Sequence, residues 1–173
     1  MNIRSATPAD VPAVLPMVSK LAALHEAWDP QRYDYKPEPE KMYHRWLTAR
    51  ANDERSVFLV ADRESRIVGF LIATMVGTIP IYRLEETGYI HDLWVEPDYR
   101  NEGIARQMTM LAVERFREMG VKQIRLETAT KNDAARKLFE SCGFRVSSIE
   151  MIFELAPSSK TSPIPSPGTP GEG

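Results

Sequence analysis

The sequence predicts a mixed α/β (α+β) protein: one central sheet with helices packed on it. Two observations carry that expectation. Runs of helical apolar spacing and β-rich runs alternate in the order β-α-α-β-β-β-α-β-α-β, which suits helices laid on a sheet. The chain has 173 residues, 43% hydrophobic and 27% charged, an ordinary globular composition for a single domain. A third observation limits the domain. Residues 157–173 hold five of the thirteen prolines, three glycines, four serines and one aliphatic side chain, Ile164. Such a stretch buries too little apolar surface to offset the entropy of ordering it. The expected folding unit is residues 1–156, followed by a disordered Pro/Ser/Gly-rich tail over 157–173 that reads as a passive extension.

In chain order, residues 2–6 form a short edge strand. Thr7 and Asp10 stand three apart with Pro8 between them, a helix-start pattern. Val11, Val14, Leu15, Val18, Leu21, Ala22 and Leu24 recur at helical spacing, and Pro16 is expected to kink that helix. Residues 28–39 are a polar, aromatic loop with three prolines. A second helix is expected over about 40–51, with Met42, Trp46 and Leu47 on one face. Residues 57–61 and 67–76 are β-rich and read as a hairpin across the polar turn 62–66. After a loop over 77–86, residues 89–95 form a third long strand, ended by Pro97. Ile104, Met108, Leu111, Ala112 and Phe116 mark a helix over 103–119, with Gly120 as its C-cap. Residues 124–128 read as a strand, 132–141 as a short helix ended by Gly143, and 144–155 as the last strand.

Several function classes are disfavoured. A net charge of −2 argues against nucleic-acid binding, which goes with a basic face. No apolar run approaches the ~20 residues of a membrane helix, and the first ten residues lack the apolar stretch of a secretory signal. Cys142 is the single cysteine, so no internal disulfide forms and a cytoplasmic location is expected. His25 and His44 sit apart from any Cys/His cluster, so no metal site is expected.

The most informative stretch is residues 89–105, a strand, a tight polar turn and a helix start. Small residues allow close backbone approach, and a helix N-terminus offers unpaired N–H groups with partial positive charge. Together they suit a phosphate or pyrophosphate. Spacing alone leaves open a plain strand–turn–helix with glycine needed only for the turn. Val95-x-Pro-x-Tyr-Arg-x-x-Gly-Ile-Ala105 resembles the Arg/Gln-x-x-Gly-x-Gly/Ala signature of the GNAT (Gcn5-related) N-acetyltransferase superfamily. Asn132-Asp-Ala-Ala-Arg-Lys-Leu-Phe-Glu-Ser-Cys-Gly-Phe144 resembles a second family motif, and Arg4-x-Ala-Thr-x-x-Asp10 a common start of these domains. The three stand in register across residues 3–155.

That resemblance implies a mixed sheet of about six to seven strands flanked by four helices. It implies a splay between the fourth and fifth strands, with acetyl-coenzyme A as co-substrate in the opening. Main-chain groups at Leu93 and Val95, on either side of Trp94, are implied to pair with the pantetheine arm like an added strand. The amides of Asn101, Glu102, Gly103, Ile104 and Ala105 are implied to hold the pyrophosphate, helped by Arg100 and Arg106. Asn132 matches a position that contacts the cofactor arm, and it equally suits a helix N-cap. Phe139 departs from the pattern: many members carry tyrosine there, whose phenol can protonate the departing thiolate. Phenylalanine has no proton to give and is expected to line the pocket. Cys142 and Ser141 lie nearby, with packing the expected role of Cys142.

The implied activity is acetyl transfer to a primary amine (a small amine, a peptide N-terminus or a lysine) by direct attack. The amine must be neutral, which at pH 7 costs a lysine-like group about 4–5 kcal/mol. A base is therefore expected. Strict alternation along 89–95 puts Tyr89, His91, Leu93 and Val95 on one face and Ile90, Asp92 and Trp94 on the other. His91 is the candidate base, with Tyr89 on its face; a structural histidine is the competing reading. A bulge would reverse the parity and favour Asp92. The acceptor side is expected to draw on Trp28, Asp29, Tyr33, Asp34, Tyr35, Pro80, Tyr82, Glu85 and Glu86, with Glu127 undecided. The alternative function is a catalytically silent acetyl-coenzyme A-binding regulatory module, motivated by Phe139. A dinucleotide-binding protein is disfavoured, because the turn lacks Gly-x-Gly-x-x-Gly and follows a hairpin. The expected partners are acetyl-coenzyme A and an amine, with no nucleic acid and no membrane. Monomer and homodimer both stay open.

Overall fold

The computed structural model describes residues 1–155, so the tail over 157–173 and its boundary at 156 lie outside the described residues. The sheet has five strands in chain order: β1 (Asn2–Ser5), β2 (Ser56–Arg63), β3 (Arg66–Gly77), β4 (Glu86–Val95) and β5 (Ile124–Leu126). The first four pair antiparallel; β4 and β5 pair parallel. Four helices flank it: α1 (Val11–Trp28), α2 (Pro39–Arg50), α3 (Ile104–Glu118) and α4 (Asp133–Ser141). The mixed, helix-covered sheet is as expected.

Each face of the sheet carries its own core. Val11, Val14, Met17 and Val18 of α1 and Leu47 of α2 pack on Phe58, Val60, Phe70, Ile72 and Trp94. Ile104, Met108, Ala112 and Phe116 of α3 and Phe139 of α4 pack on Val57, Leu59, Leu71, Ala73, Ile90 and Val95. Alternate residues of β2 and β3 therefore point into opposite cores, so both strands read as nearly unbroken apolar runs. Their hairpin turns on Glu64 and Ser65 alone, both with positive φ, a two-residue turn tighter than the expected 62–66. At the N-terminus the Asp10 carboxylate accepts from the Thr7 N–H at 2.7 Å, and from Arg4 at 2.7 and 2.8 Å. These bonds fix β1 against the start of α1.

Three expectations are corrected. The sheet has five strands rather than six to seven, because residues 144–155 form no strand among the described residues. Strand patterning is not enough: a strand exists through its neighbour's hydrogen bonds, and this segment has no strand partner among the described residues. The expected strand 124–128 pairs only over Ile124–Leu126. On α2 the inward stripe is Tyr43, Trp46 and Leu47, while Met42 is exposed. No helix among the described residues is long and apolar enough to cross a membrane.

Candidate active site

One irregularity organises the site. Along the β3–β4 ladder Ile72 pairs with Asp92, and the next pair is Ala73 with Ile90. His91 is therefore the extra residue of a β-bulge. On one side of it Ile90, and on the other Leu93 and Val95, join the α3/α4 core. Asp92 bonds to Tyr43 of α2, and Trp94 joins the α1/α2 core. His91 stands edge-on to Trp46 at 5.2 Å and near the Tyr89 ring at 5.0 Å. This corrects the strict alternation: Tyr89 and His91 do not share a face with Leu93 and Val95. Tyr89, His91, Asp92 and Trp94 all look toward α1 and α2.

The bulge sits where the sheet opens. Parallel pairing runs Gly88–Ile124, Tyr89–Arg125 and Ile90–Leu126, then stops. From His91 to Val95 the outer edge of β4 has no strand partner among the described residues. Gly88 seats this junction: a Cβ there would stand 2.9 Å from the Phe116 ring. Its N–H also donates to the Gln123 carbonyl at 3.0 Å.

Burial tunes the site's proton affinities. Desolvation pushes the Asp92 carboxyl up to about 6, opposed by the hydrogen bond from the Tyr43 hydroxyl at 3.0 Å. Desolvation, with Arg50 adding, pulls His91 below its ordinary value. Its Nε2 lies 2.8 Å from the buried Thr74 hydroxyl. Desolvation and the Glu127 carboxylate push the Tyr89 phenol up to about 12.

At the C-terminal end of β4, the turn into α3 has Asn101 and Gly103 at positive φ, the conformation in which glycine is at ease. The first N–H groups of α3, like those of any helix, have no intrahelical partners, and its N-cap Gly103 supplies no side-chain hydrogen bond to them. Ile104 is buried and anchors the helix; Ala105 is half-buried and Arg106 exposed. Arg100 folds back instead: its Nε donates to the Val95 carbonyl at 2.9 Å and its guanidinium lies 4.8 Å over the Trp94 ring. Glu102 pairs with Arg63 at 2.9 Å. Asn132 caps α4, its side-chain oxygen accepting from the Ala135 N–H at 3.1 Å. Phe139 is buried, edge-on to Phe144 at 5.6 Å. Cys142 is half-buried at the end of α4.

The acceptor-side expectations divide. His25 stacks on Tyr33 at 4.7 Å, and its Nδ1 lies 3.3 Å from the Tyr35 hydroxyl. Burial, with the Asp92 charge adding, pushes the Tyr35 phenol above its ordinary value. Trp28 is 5.6 Å from His25, its carbonyl held by Lys131. Asp29 accepts from the Arg32 N–H, a turn role. Pro80, Tyr82 and Glu85 lie on the β3–β4 loop, at the other end of β4 from Leu93 and Val95. Glu86 pairs with Arg55, roughly 20 Å along the strand from Asp92. Glu127 pairs with Arg32 at 3.4 Å. Sequence reasoning missed Tyr43, Thr74 and Arg32. The Tyr43–Trp46–Leu47–Arg50 spacing was the available signal for the first.

Comparison with known proteins adds independent findings. The model of the acetyltransferase (GNAT) family matches residues 21–144. An uncharacterized N-acetyltransferase of Bacillus subtilis, YhfO, is 26% identical over 145 residues, 83% of this chain and 89% of that one. A mutant of the BH1408 protein from Bacillus halodurans superposes with a TM-score of 0.78 at 26% identity, covering 90% of this chain and all of that one. A predicted acetyltransferase with acetyl-CoA, from Clostridium acetobutylicum, gives a TM-score of 0.70 at 21% identity, covering 88% and 95%. That last likeness is one of fold.

Proposed function

The chain belongs to the acetyltransferase (GNAT) family and is an acetyltransferase; on that premise we propose that it moves the acetyl group of acetyl-coenzyme A directly onto a primary amine. The residues fit such a co-substrate. An extended arm finds a strand edge at Leu93–Val95, and a pyrophosphate finds the N–H groups of residues 101–105 at the start of α3. Arg100 braces this turn on β4, Arg106 adds a cation at its rim, and Asn132 and Phe139 wall the arm from α4. Acetyl-coenzyme A supplies an activated acetyl thioester.

The observation that carries this reading is the bulge. It turns His91 and Asp92 to one face of the sheet near the point where β4 and β5 part, which supports reading that face as the acceptor side. His91 is the base. With Nε2–H donating to Thr74, the Nδ1 lone pair is free to take the amine's proton. Its lowered pKa keeps the ring neutral near pH 7. Asp92, ionised above about pH 6, draws the acceptor in as its ammonium form. Tyr89 remains a protonated phenol beside His91 and can donate a hydrogen bond. The acceptor class, whether small amine, peptide N-terminus or lysine, is the open half of the proposal. Phe139 favours a second reading, a silent acetyl-coenzyme A-binding module, because it supplies no acid for the leaving thiolate.

The test is direct. His91→Ala is expected to lower kcat/KM by about 100-fold or more and to remove an acid limb from its pH profile. An unchanged kcat/KM and profile would show that His91 is not the base.

A further inference from the structure

The rings gathered on the α1/α2 face of the sheet have their polar atoms engaged and their carbon faces partly uncovered. Trp46 stands edge-on to His91 at 5.2 Å and to Tyr43 at 5.3 Å. Tyr89 flanks His91 from β4 at 5.0 Å. Tyr35, on the loop between α1 and α2, lies near enough to Asp92 for that charge to act on its phenol. Tyr43, Trp46 and Tyr89 are half-buried and Tyr35 is 39% exposed, so none is sealed into the core. The Tyr43 hydroxyl donates to Asp92 at 3.0 Å, and the Tyr35 hydroxyl lies 3.3 Å from Nδ1 of His25. What these rings still offer is carbon surface.

The charges nearby are as selective. Asp92 is the carboxylate next to His91 in the chain. Glu127 and Glu150 are both ion-paired with Arg32, whose guanidinium lies 5.4 Å from the Tyr33 ring centre. Arg50, one turn beyond Trp46 on α2, adds positive charge that acts on His91. A second ammonium on the acceptor would meet one guanidinium beside Tyr33 and another beyond Trp46. A peptide acceptor would press amide N–H and C=O groups against carbon surface, where an unpaired polar group costs affinity.

Resting on the direct-transfer reading, we infer that the acceptor is a primary monoamine with a compact, ring-bearing apolar body, its ammonium drawn by Asp92 and its body held among Tyr35, Trp46 and Tyr89. The neutral amine nitrogen bonds to the acetyl carbon as the carbon–sulfur bond breaks. Its proton goes to His91, and the sulfur leaves with the bond's electron pair as thiolate.

The test uses the full chain with acetyl-coenzyme A and four amines: 2-phenylethylamine, putrescine, a peptide with a free N-terminus and a blocked peptide with one lysine. The kcat/KM for 2-phenylethylamine is expected to exceed each of the others by about 100-fold, the worth of seating one ring on apolar surface. With coenzyme A bound, where no transfer occurs, calorimetric titration should show the same order of affinity. Trp46→Ala is expected to raise the KM for 2-phenylethylamine about 10-fold and leave that for acetyl-coenzyme A unchanged, and Trp46→Phe should restore most of the loss. Tyr35→Ala, at an exposed position, is a second probe with the same split. Putrescine or either peptide used as well as 2-phenylethylamine overturns this inference and leaves direct transfer standing. So does a KM for 2-phenylethylamine that neither variant moves. No acetylated product from any amine overturns the transfer reading and this inference with it.

Discussion

His91 and Asp92 are chain neighbours whose proton affinities are moved by the same desolvation in opposite directions. The carboxyl, raised from 3.8 to about 6, binds its proton more tightly in the folded chain than in the unfolded one. Its contribution to stability is therefore greatest below about pH 4 and falls as pH rises through about 6. Asp92→Asn, which can still accept from Tyr43, is expected to gain on the order of 1–3 kcal/mol at pH 8. That gain should vanish by pH 4, as read from melting curves; an equal gain at both pH values would contradict the burial argument. Asp10 works with the reverse sign. Arg4 holds its carboxyl well below the ordinary range, so its stabilisation is present above about pH 4 and fades on acidification. Asp10→Asn should cost about 1 kcal/mol at pH 7, since the pair is partly exposed, and little at pH 2. Tyr43→Phe removes the one bond that opposes the Asp92 shift. A carbon-detected titration of Asp92 should then read a pKa above that of the parent chain. Phe139→Tyr is expected to retain or raise turnover, and a collapse would show that the site cannot use a phenol there.

At the level of elements, the junction of β4 and β5 depends on a close approach. Gly88→Val should cost about 1–3 kcal/mol by driving the Phe116 ring from its seat, measured by denaturant unfolding. A variant as stable as the parent chain would mean that α3 shifts freely under the sheet. Much of this architecture was readable beforehand. The spacing of Ile104, Met108, Ala112 and Phe116 announces α3 because a helix buries one stripe, and the Asn132 cap of α4 follows from local chemistry. The bulge at His91 was not readable as a fact, because the apolar run Ile90, Leu93, Trp94, Val95 fits a regular and a bulged strand alike. It emerges only from the register with β3. The segment 144–155 departs from expectation for a related reason: its pattern names a face, but no neighbour among the described residues supplies the hydrogen bonds. On α2, Met42 and Tyr43 differ by one position, and only packing against Asp92 decides which turns inward.

Across the whole molecule, the sheet divides the labour. The α3 face and its N-terminal turn suit the anionic end of a co-substrate, and the α1/α2 face gathers Tyr43, Trp46, Tyr89, His91 and Asp92. The two faces lie open to each other where β4 parts from β5. Binding and chemistry should therefore separate. Gly103→Val, which forces a branched residue into positive φ, is expected to weaken acetyl-coenzyme A binding about 10-fold or more. His91→Ala should leave that affinity near the parent value. The most direct measurement is thiol release from acetyl-coenzyme A against a panel of small amines, peptides and lysine side chains, with mass spectrometry of the products. At least one amine should gain an acetyl group in the parent chain and lose it in His91→Ala, while acetyl-coenzyme A binding persists. Binding of acetyl-coenzyme A with no acetylated product from any amine would contradict direct transfer and leave the silent module.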